Sequence, residues 1–150
     1  MNQKATTLKR TFSRETSVSA SIAADPATVW ALLTHAADYP RWNSTVTSIQ
    51  GEIKAGATIE LKSTLDAKRT FKLKVKEFEP QKRLVWGDAM GSRVYSIEKV
   101  ASGVNFSMTE RIGGPLFPLF AGMIPSFDKS FDKFAADLKK EAESIQRSKK

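Results

Sequence analysis

Apolar and charged positions alternate without error from Thr70 to Lys76, with Phe71, Leu73 and Val75 on one side and Lys72, Lys74 and Lys76 on the other. That is the period of a half-buried antiparallel strand with one wet face. Thr58 to Ser63 repeats it, Ile59 and Leu61 lying opposite Glu60 and Lys62. Further strands are predicted at Arg14 to Ile22, Thr45 to Ile49, Leu84 to Asp88, Arg93 to Val100 and Val104 to Ile112. Glu79-Pro80-Gln81-Lys82 reads as a turn, and Phe78 breaks the parity set by Val75, which predicts a bulge.

Turn chemistry sets trial registers. With Met90-Gly91 as a two-residue hairpin turn, position 88 faces 93 and 86 faces 95. With Ser102-Gly103 as the next, 97 faces 108 and 95 faces 110. Both put Leu84, Trp86, Asp88, Arg93, Tyr95, Ile97, Phe106, Met108 and Glu110 on one face.

Two stretches carry a helical period. Asp25-Pro26 opens the first; the aspartate suits an N-cap, the proline suits the first turn, and Val29, Trp30, Leu32 and Leu33 make a thick apolar side. Tyr39-Pro40-Arg41-Trp42-Asn43 follows as a segment too short for a long helix. Near the C-terminus, Phe117, Phe120, Ile124, Phe127, Phe131, Phe134, Leu138 and Ile145 fall on one stripe. Pro118 belongs to the first turn or the loop before it, and Pro125 predicts a kink or split near Ile124.

The chain of 150 residues fits one α+β domain, and a hydrophobic share of 41% supports a real core. Residues 1–11, polar and basic, read as a disordered arm, 12–146 as the domain and 147–150 as a frayed tail. The absence of cysteine excludes disulfides and thiol chemistry and fits a reducing, cytoplasmic setting. No apolar run follows Met1 to mark a secretory signal, and Leu116 to Ile124 is too short to span a bilayer. A net charge of +8 raises nucleic acid or anionic membrane as partners. No nucleic-acid motif accompanies the charge, and the aromatics are not interleaved with the basic residues, so no nucleic acid is expected and peripheral membrane contact remains open.

Three local patterns, in order, resemble the START-like (SRPBCC) superfamily and its polyketide cyclase-like members. Trp30 with Leu32-Leu33 and then Tyr39-Pro40-Arg41-Trp42-Asn43 looks like that family's first helix and following loop. Pro80 through Leu84-Val85-Trp86 resembles its turn into the fifth strand, and Glu110-Arg111-Ile112-Gly113-Gly114-Pro115-Leu116 its exit from the last. The resemblance spans about residues 12 to 145. It implies a helix-grip fold: a curved antiparallel sheet of about seven strands around a long C-terminal helix, with two short helices after the first strand. It also implies a cavity for a small hydrophobic molecule. The candidate lining is Trp42, Ile59, Leu61, Phe71, Leu73, Val75, Trp86, Tyr95, Phe106, Met108, Phe120, Ile124, Phe127 and Phe131. The expected volume is on the order of several hundred cubic ångströms.

Chemistry is sparser. His35, the single histidine, ends the first helix and suits a capping or surface role; without cysteine or a second histidine no metal site is expected. No glycine-flanked serine elbow and no phosphate-cradling loop is present, and no cofactor is implied. Asp88, Arg93, Tyr95 and Glu110 cluster at one end of the inward face and are the weak catalytic candidates, with Tyr95 expected to reach Glu110. The competing reading is an ion-paired rim at the pocket mouth. Binding or carrying a lipid, polyketide or other aromatic molecule is therefore the leading expectation. A cyclase or dehydratase acting on a bound substrate is the alternative, and a basic surface for anionic membrane or a partner is the third reading.

Overall fold

The computed structural model describes residues 2–149, so Met1 of the expected arm and Lys150 of the expected tail lie outside the described residues. The strands are β1 (Gln3–Lys9), β2 (Ser13–Ile22), β3 (Val46–Gln50), β4 (Thr58–Ser63), β5 (Asp66–Glu79), β6 (Arg83–Gly87), β7 (Gly91–Val100) and β8 (Gly103–Gly113). They form one antiparallel sheet in the order β1-β2-β8-β7-β6-β5-β4-β3. Helices α1 (Pro26–Thr34) and α2 (Tyr39–Trp42) follow β2; α3 (Phe117–Phe120) and the long α4 (Asp128–Ser148) follow β8. This is the helix-grip fold.

Inward side chains meet α4 along Phe131, Phe134, Ala135, Leu138 and Ala142, the spacing of one helical face. Phe134 is the hub. Its ring centroid lies 6.3 Å from Tyr39, 5.8 Å from Trp42, 5.7 Å from Tyr95 and 6.4 Å from Phe106. The small helices, two sheet strands and α4 therefore share one aromatic contact set. Lys72, Lys74 and Lys76 are exposed on the outer face. The expected bulge lies between Val75 and Glu77. The turn after it is closed by Lys82 N–H donating to the Glu79 carbonyl at 3.0 Å, with Gln81 at φ 64°.

Several expectations need correction. Residues 3–9, expected in the disordered arm, form β1, the eighth strand, which pairs with β2. Asp132 Oδ1 accepts from Ala5 N–H at 2.7 Å, and Asp128 Oδ1 accepts from the Thr7 hydroxyl, so α4 also ties β1 down. At the other terminus α4 continues through Ser148 rather than fraying at 147. The C-terminal stripe splits near Ile124, as Pro125 predicts: α3, a 3₁₀ turn at Ala121–Met123 and an extended break precede α4. Asp25 caps α1 through its backbone carbonyl, which accepts from Thr28 and Val29 N–H at 3.1 and 3.2 Å; its side chain makes no capping bond.

Both trial registers are off by two residues in the pairing. Trp86 faces Arg93, Leu84 faces Tyr95, Tyr95 faces Met108 and Arg93 faces Glu110. The loop residues are Ala89-Met90 and Ala101-Ser102. The two glycines are required by close backbone approach instead: a Cβ on Gly91 would stand 2.3 Å from the Arg111 carbonyl oxygen, and one on Gly103 2.1 Å from that of Ile22. A slip of two preserves side-chain parity, so the inward face is the expected one while the partners across it change.

Candidate functional site

A cleft of about 210 Å³ opens at the end of the sheet where the β4–β5 hairpin, the β6–β7 turn and the segment before α4 converge. Leu61, Phe71, Leu73 and Trp86 line it from the sheet, and Ile124, Pro125 and Phe127 from the segment preceding α4. Alternation brings the first four inward, and the break at Pro125 turns Ile124 and Phe127 toward them. Exposed Asp66, Arg69 and Met123 stand at its solvent side.

One charged pair belongs to the wall. Arg93 Nε donates to Glu110 Oε1 at 2.6 Å, with the two side chains only 15% and 19% exposed. The Arg93 guanidinium also lies 5.0 Å from the centre of the Phe131 ring. Burial, the largest single influence, works against the Arg93 charge, but Glu110 and Tyr95 together outweigh it and hold the guanidinium above the usual arginine value. Hydrogen-bonding capacity remains at this wall, because the Nε bond uses one of five guanidinium N–H donors.

Beside the cleft, Arg14 fastens the segment that forms its wall. Its Nη1 donates to the Ile124 carbonyl at 3.1 Å and its Nη2 to the Pro125 carbonyl at 2.8 Å, while the guanidinium lies 5.0 Å from the Phe127 ring centre. Burial lowers the Arg14 pKa, with Glu110 and Asp128 pulling the other way.

The expected lining divides three ways. Leu61, Phe71, Leu73, Trp86, Ile124 and Phe127 reach the cleft. Trp42, Ile59, Val75, Tyr95, Phe106, Met108 and Phe131 are instead buried core and do not line it. Phe120 packs edge-on against Phe117 at 5.6 Å, away from the cleft. Thr45, Val46, Leu65, Met90, Ile112 and Met123 line it without having been singled out. Parity with Glu110 points to Ile112; Val46 heads β3 just before a register shift that breaks its parity with Ile49, and the others lie in turns or connections that alternation does not encode.

The four clustered polar residues also separate. Asp88 turns its carboxylate back on the hairpin, accepting from Met90 and Gly91 N–H at 2.8 and 3.1 Å, so it pairs with no arginine. Tyr95 does not reach Glu110; it sits opposite Met108, and its buried hydroxyl has no hydrogen-bond partner of normal geometry. Burial pushes that phenol up to about 12, with Arg93 pulling it partly back. Arg93 and Glu110 remain together. His35 is exposed and forms the C-terminal cap of α1 by donating its backbone N–H to the Ala31 carbonyl. Among the described residues no cluster of acidic or histidine side chains could hold a metal, and no helix is long and apolar enough to cross a membrane.

Comparison with solved structures gives the fold. A conserved protein of unknown function from Enterococcus faecalis superposes with a TM-score of 0.68 at 15% identity, over 95% of this chain and 78% of that one. A Rhodobacter sphaeroides protein gives 0.67 at 19% identity, over 93% and 97%. A START superfamily protein from Mycobacterium smegmatis gives 0.63 at 15% identity, over 87% and 98%. Comparison with curated proteins finds no match. The family described as polyketide cyclase/dehydrase and lipid transport matches residues 13–143. That span runs from β2 into α4, taking in the whole cleft and the helix that backs it, and the chain belongs to the polyketide cyclase/dehydrase and lipid transport family.

Proposed function

We propose that the cleft holds one small hydrophobic or amphipathic molecule, of lipid, polyketide or other aromatic character, and that the protein binds or carries it. The carrying observation is the lining: Leu61, Leu73, Trp86, Ile124 and Phe127 converge on a space of about 210 Å³ whose wall charges, Arg93 and Glu110, neutralise each other. An apolar body fits the greasy side, and a carbonyl, hydroxyl or carboxylate can accept from Arg93. The family description, which includes lipid transport, supports the same reading.

Native mass spectrometry of freshly purified protein should show a copurified small molecule, and an apolar fluorescent dye should bind and be displaced by fatty acids or aromatic polyketides. Leu73→Trp fills the cleft from β5 and should weaken dye binding at least about tenfold while leaving the fold intact. No copurified molecule and no dye binding, or dye binding indifferent to Leu73→Trp, refutes the assignment.

The enzymatic alternative rests on the Arg93–Glu110 pair being shielded at the wall. A cyclase or dehydratase would use that pair to polarise a carbonyl or move a proton. Glu110→Gln should then spare ligand binding and stop turnover of a bound substrate; unchanged turnover removes Glu110 from the chemistry. The basic outer face at Lys72, Lys74 and Lys76 is separate from the cleft, and changing all three to glutamine should leave apolar-ligand affinity nearly unchanged.

A further inference from the structure

No charged residue occurs between Arg111 and Asp128, yet much of this segment lies on the surface. Leu116 is 65% exposed, Leu119 79% and Met123 78%. Large apolar side chains this open are costly in water unless something covers them. Both ends of the segment are fixed to the same end of the sheet. Gly114 N–H donates to the Phe12 carbonyl at 3.0 Å and Gly113 N–H to that of Met90 at 2.9 Å, while Arg14 holds the carbonyls of Ile124 and Pro125. Phe12 and Met90 are themselves 57% and 39% exposed, so one apolar lip borders the cleft mouth.

Around it the exposed charge is mainly positive. Lys9 and Arg10 lead into the turn that carries Phe12, Arg111 lies near the end of β8 opposite the exposed Glu15 of β2, and Lys68 and Arg69 belong to the β4–β5 hairpin across the cleft. Asp66 is the opposing exposed carboxylate on that hairpin, and Asp88 is occupied by the Met90 and Gly91 amides. A protruding apolar edge inside a basic rim complements the interface of an anionic bilayer, where acyl chains cover the leucines and headgroups meet the lysines and arginines.

We propose that this end of the molecule docks on anionic lipid bilayers, with Leu116, Leu119 and Met123 inserted at the interface. This docking goes beyond the cleft assignment, because it requires no occupant in the cleft. It would place the cleft mouth against the lipid rather than the bulk solvent.

The lack of cysteine allows the test to be site-specific. Leu119→Cys and, on the outer face, Lys74→Cys each carry one environment-sensitive fluorophore. Vesicles are pure phosphatidylcholine, or about three parts phosphatidylcholine to one part phosphatidylglycerol. The probe at 119 should shift to the blue and be quenched by acyl-chain quenchers on the anionic vesicles only, with salt weakening the effect, while the probe at 74 stays unchanged. In flotation of unlabelled protein, Leu116→Glu combined with Leu119→Glu should lower vesicle binding at least about tenfold. Neither residue lines the cleft, so dye binding by that variant stays as in the parent and separates failure of docking from failure of ligand binding. No shift at 119, or an equal shift at 74, overturns the proposal. So does a concentration-dependent dimer abolished by the double variant without any vesicle binding, which would assign the lip to a second copy of the chain.

Discussion

Phe134→Ala tests whether α4 is fastened through one ring. The side chain is 1% exposed and stands among Tyr39, Trp42, Tyr95 and Phe106, so its removal affects the small-helix region, β7, β8 and α4 at once. Returning the ring's apolar surface to water forfeits about 2 kcal/mol. A cavity of about 100 Å³ at about 24 cal/mol per Å³ costs about 2 kcal/mol more, because strands held on both sides cannot collapse into it. The expected loss is therefore about 4 kcal/mol, within the usual range for a buried phenylalanine. In urea, with a slope of about 2 kcal/mol per molar, the midpoint should fall by about 2 M with the slope unchanged. Phe134→Leu keeps most of the volume and should cost about 1–2 kcal/mol, which keeps the test readable if the alanine variant does not fold. Phe120→Ala, half-buried and packed edge-on against Phe117, should cost under about 1 kcal/mol. A Phe134→Ala loss below about 1 kcal/mol, or one no larger than that of Phe120→Ala, refutes the hub.

Other expectations follow from the polar groups. The chain has two tyrosines; burial raises both, Tyr39 well above 10 and Tyr95 to about 12, so absorbance at 295 nm should show no tyrosinate near pH 10 in the native protein. Because the folded values are raised, the stability they contribute is full below the unfolded pKa of about 10 and is lost as pH rises through the folded values; tyrosinate should appear only with alkaline unfolding, and a native titration at pH 10 would contradict the burial. Arg93→Met strands a mostly shielded Glu110 and should cost about 2 kcal/mol in urea unfolding, reduced from the fully buried range by the 19% exposure of Glu110; the Arg93→Met, Glu110→Met double variant should recover most of it, and a strictly additive cycle would show the pair to be uncoupled. Burial alone would raise the Glu143 pKa, but the Ala23 amide and Lys139 outweigh it and lower it, so its stabilisation is present above the unfolded value of about 4.3 and lost as pH falls through the folded one. Glu143→Gln should flatten the acid side of a stability–pH curve, and an unchanged slope would exclude that contribution.

Alternation made the inward face legible. Trp86, Tyr95 and Phe106 keep their side of the sheet under any slip of two, so a misplaced turn left the core assignment standing. The pairing itself was not legible, because Gly91 and Gly103 signal turns in sequence while serving close backbone approaches made by distant strands. β1 was hidden for a similar reason. Its Lys4, Thr6 and Thr7 carry no apolar period, and what orders it is the β2 backbone together with Asp128 and Asp132, more than a hundred residues away. In sequence Arg14 only opens a predicted strand, whereas its role in the fold depends on two carbonyls that become available because Pro125 splits the helical stripe. One wall of the cleft follows that split, which explains why Met123 escapes a reading based on period and why such a reading includes Phe120 and Phe131.

The Arg14 clamp also sets the energetics of dilation. The carbonyls of Ile124 and Pro125 are held by that one side chain, and the segment they belong to contributes no rung to the eight-stranded ladder. Any outward swing of residues 124–127 would keep every strand pair but give up those two charge-assisted hydrogen bonds, the Arg14 contact with the Phe127 ring and the stacking of Phe127 on Phe131. The hydrogen bonds are worth about 1.5–3 kcal/mol each, and re-exposing Phe127 adds a cost of the same order. A single arginine on β2 thereby ties one wall of the cleft to the sheet, so the stiffness of that wall is set by side-chain contacts and not by the ladder.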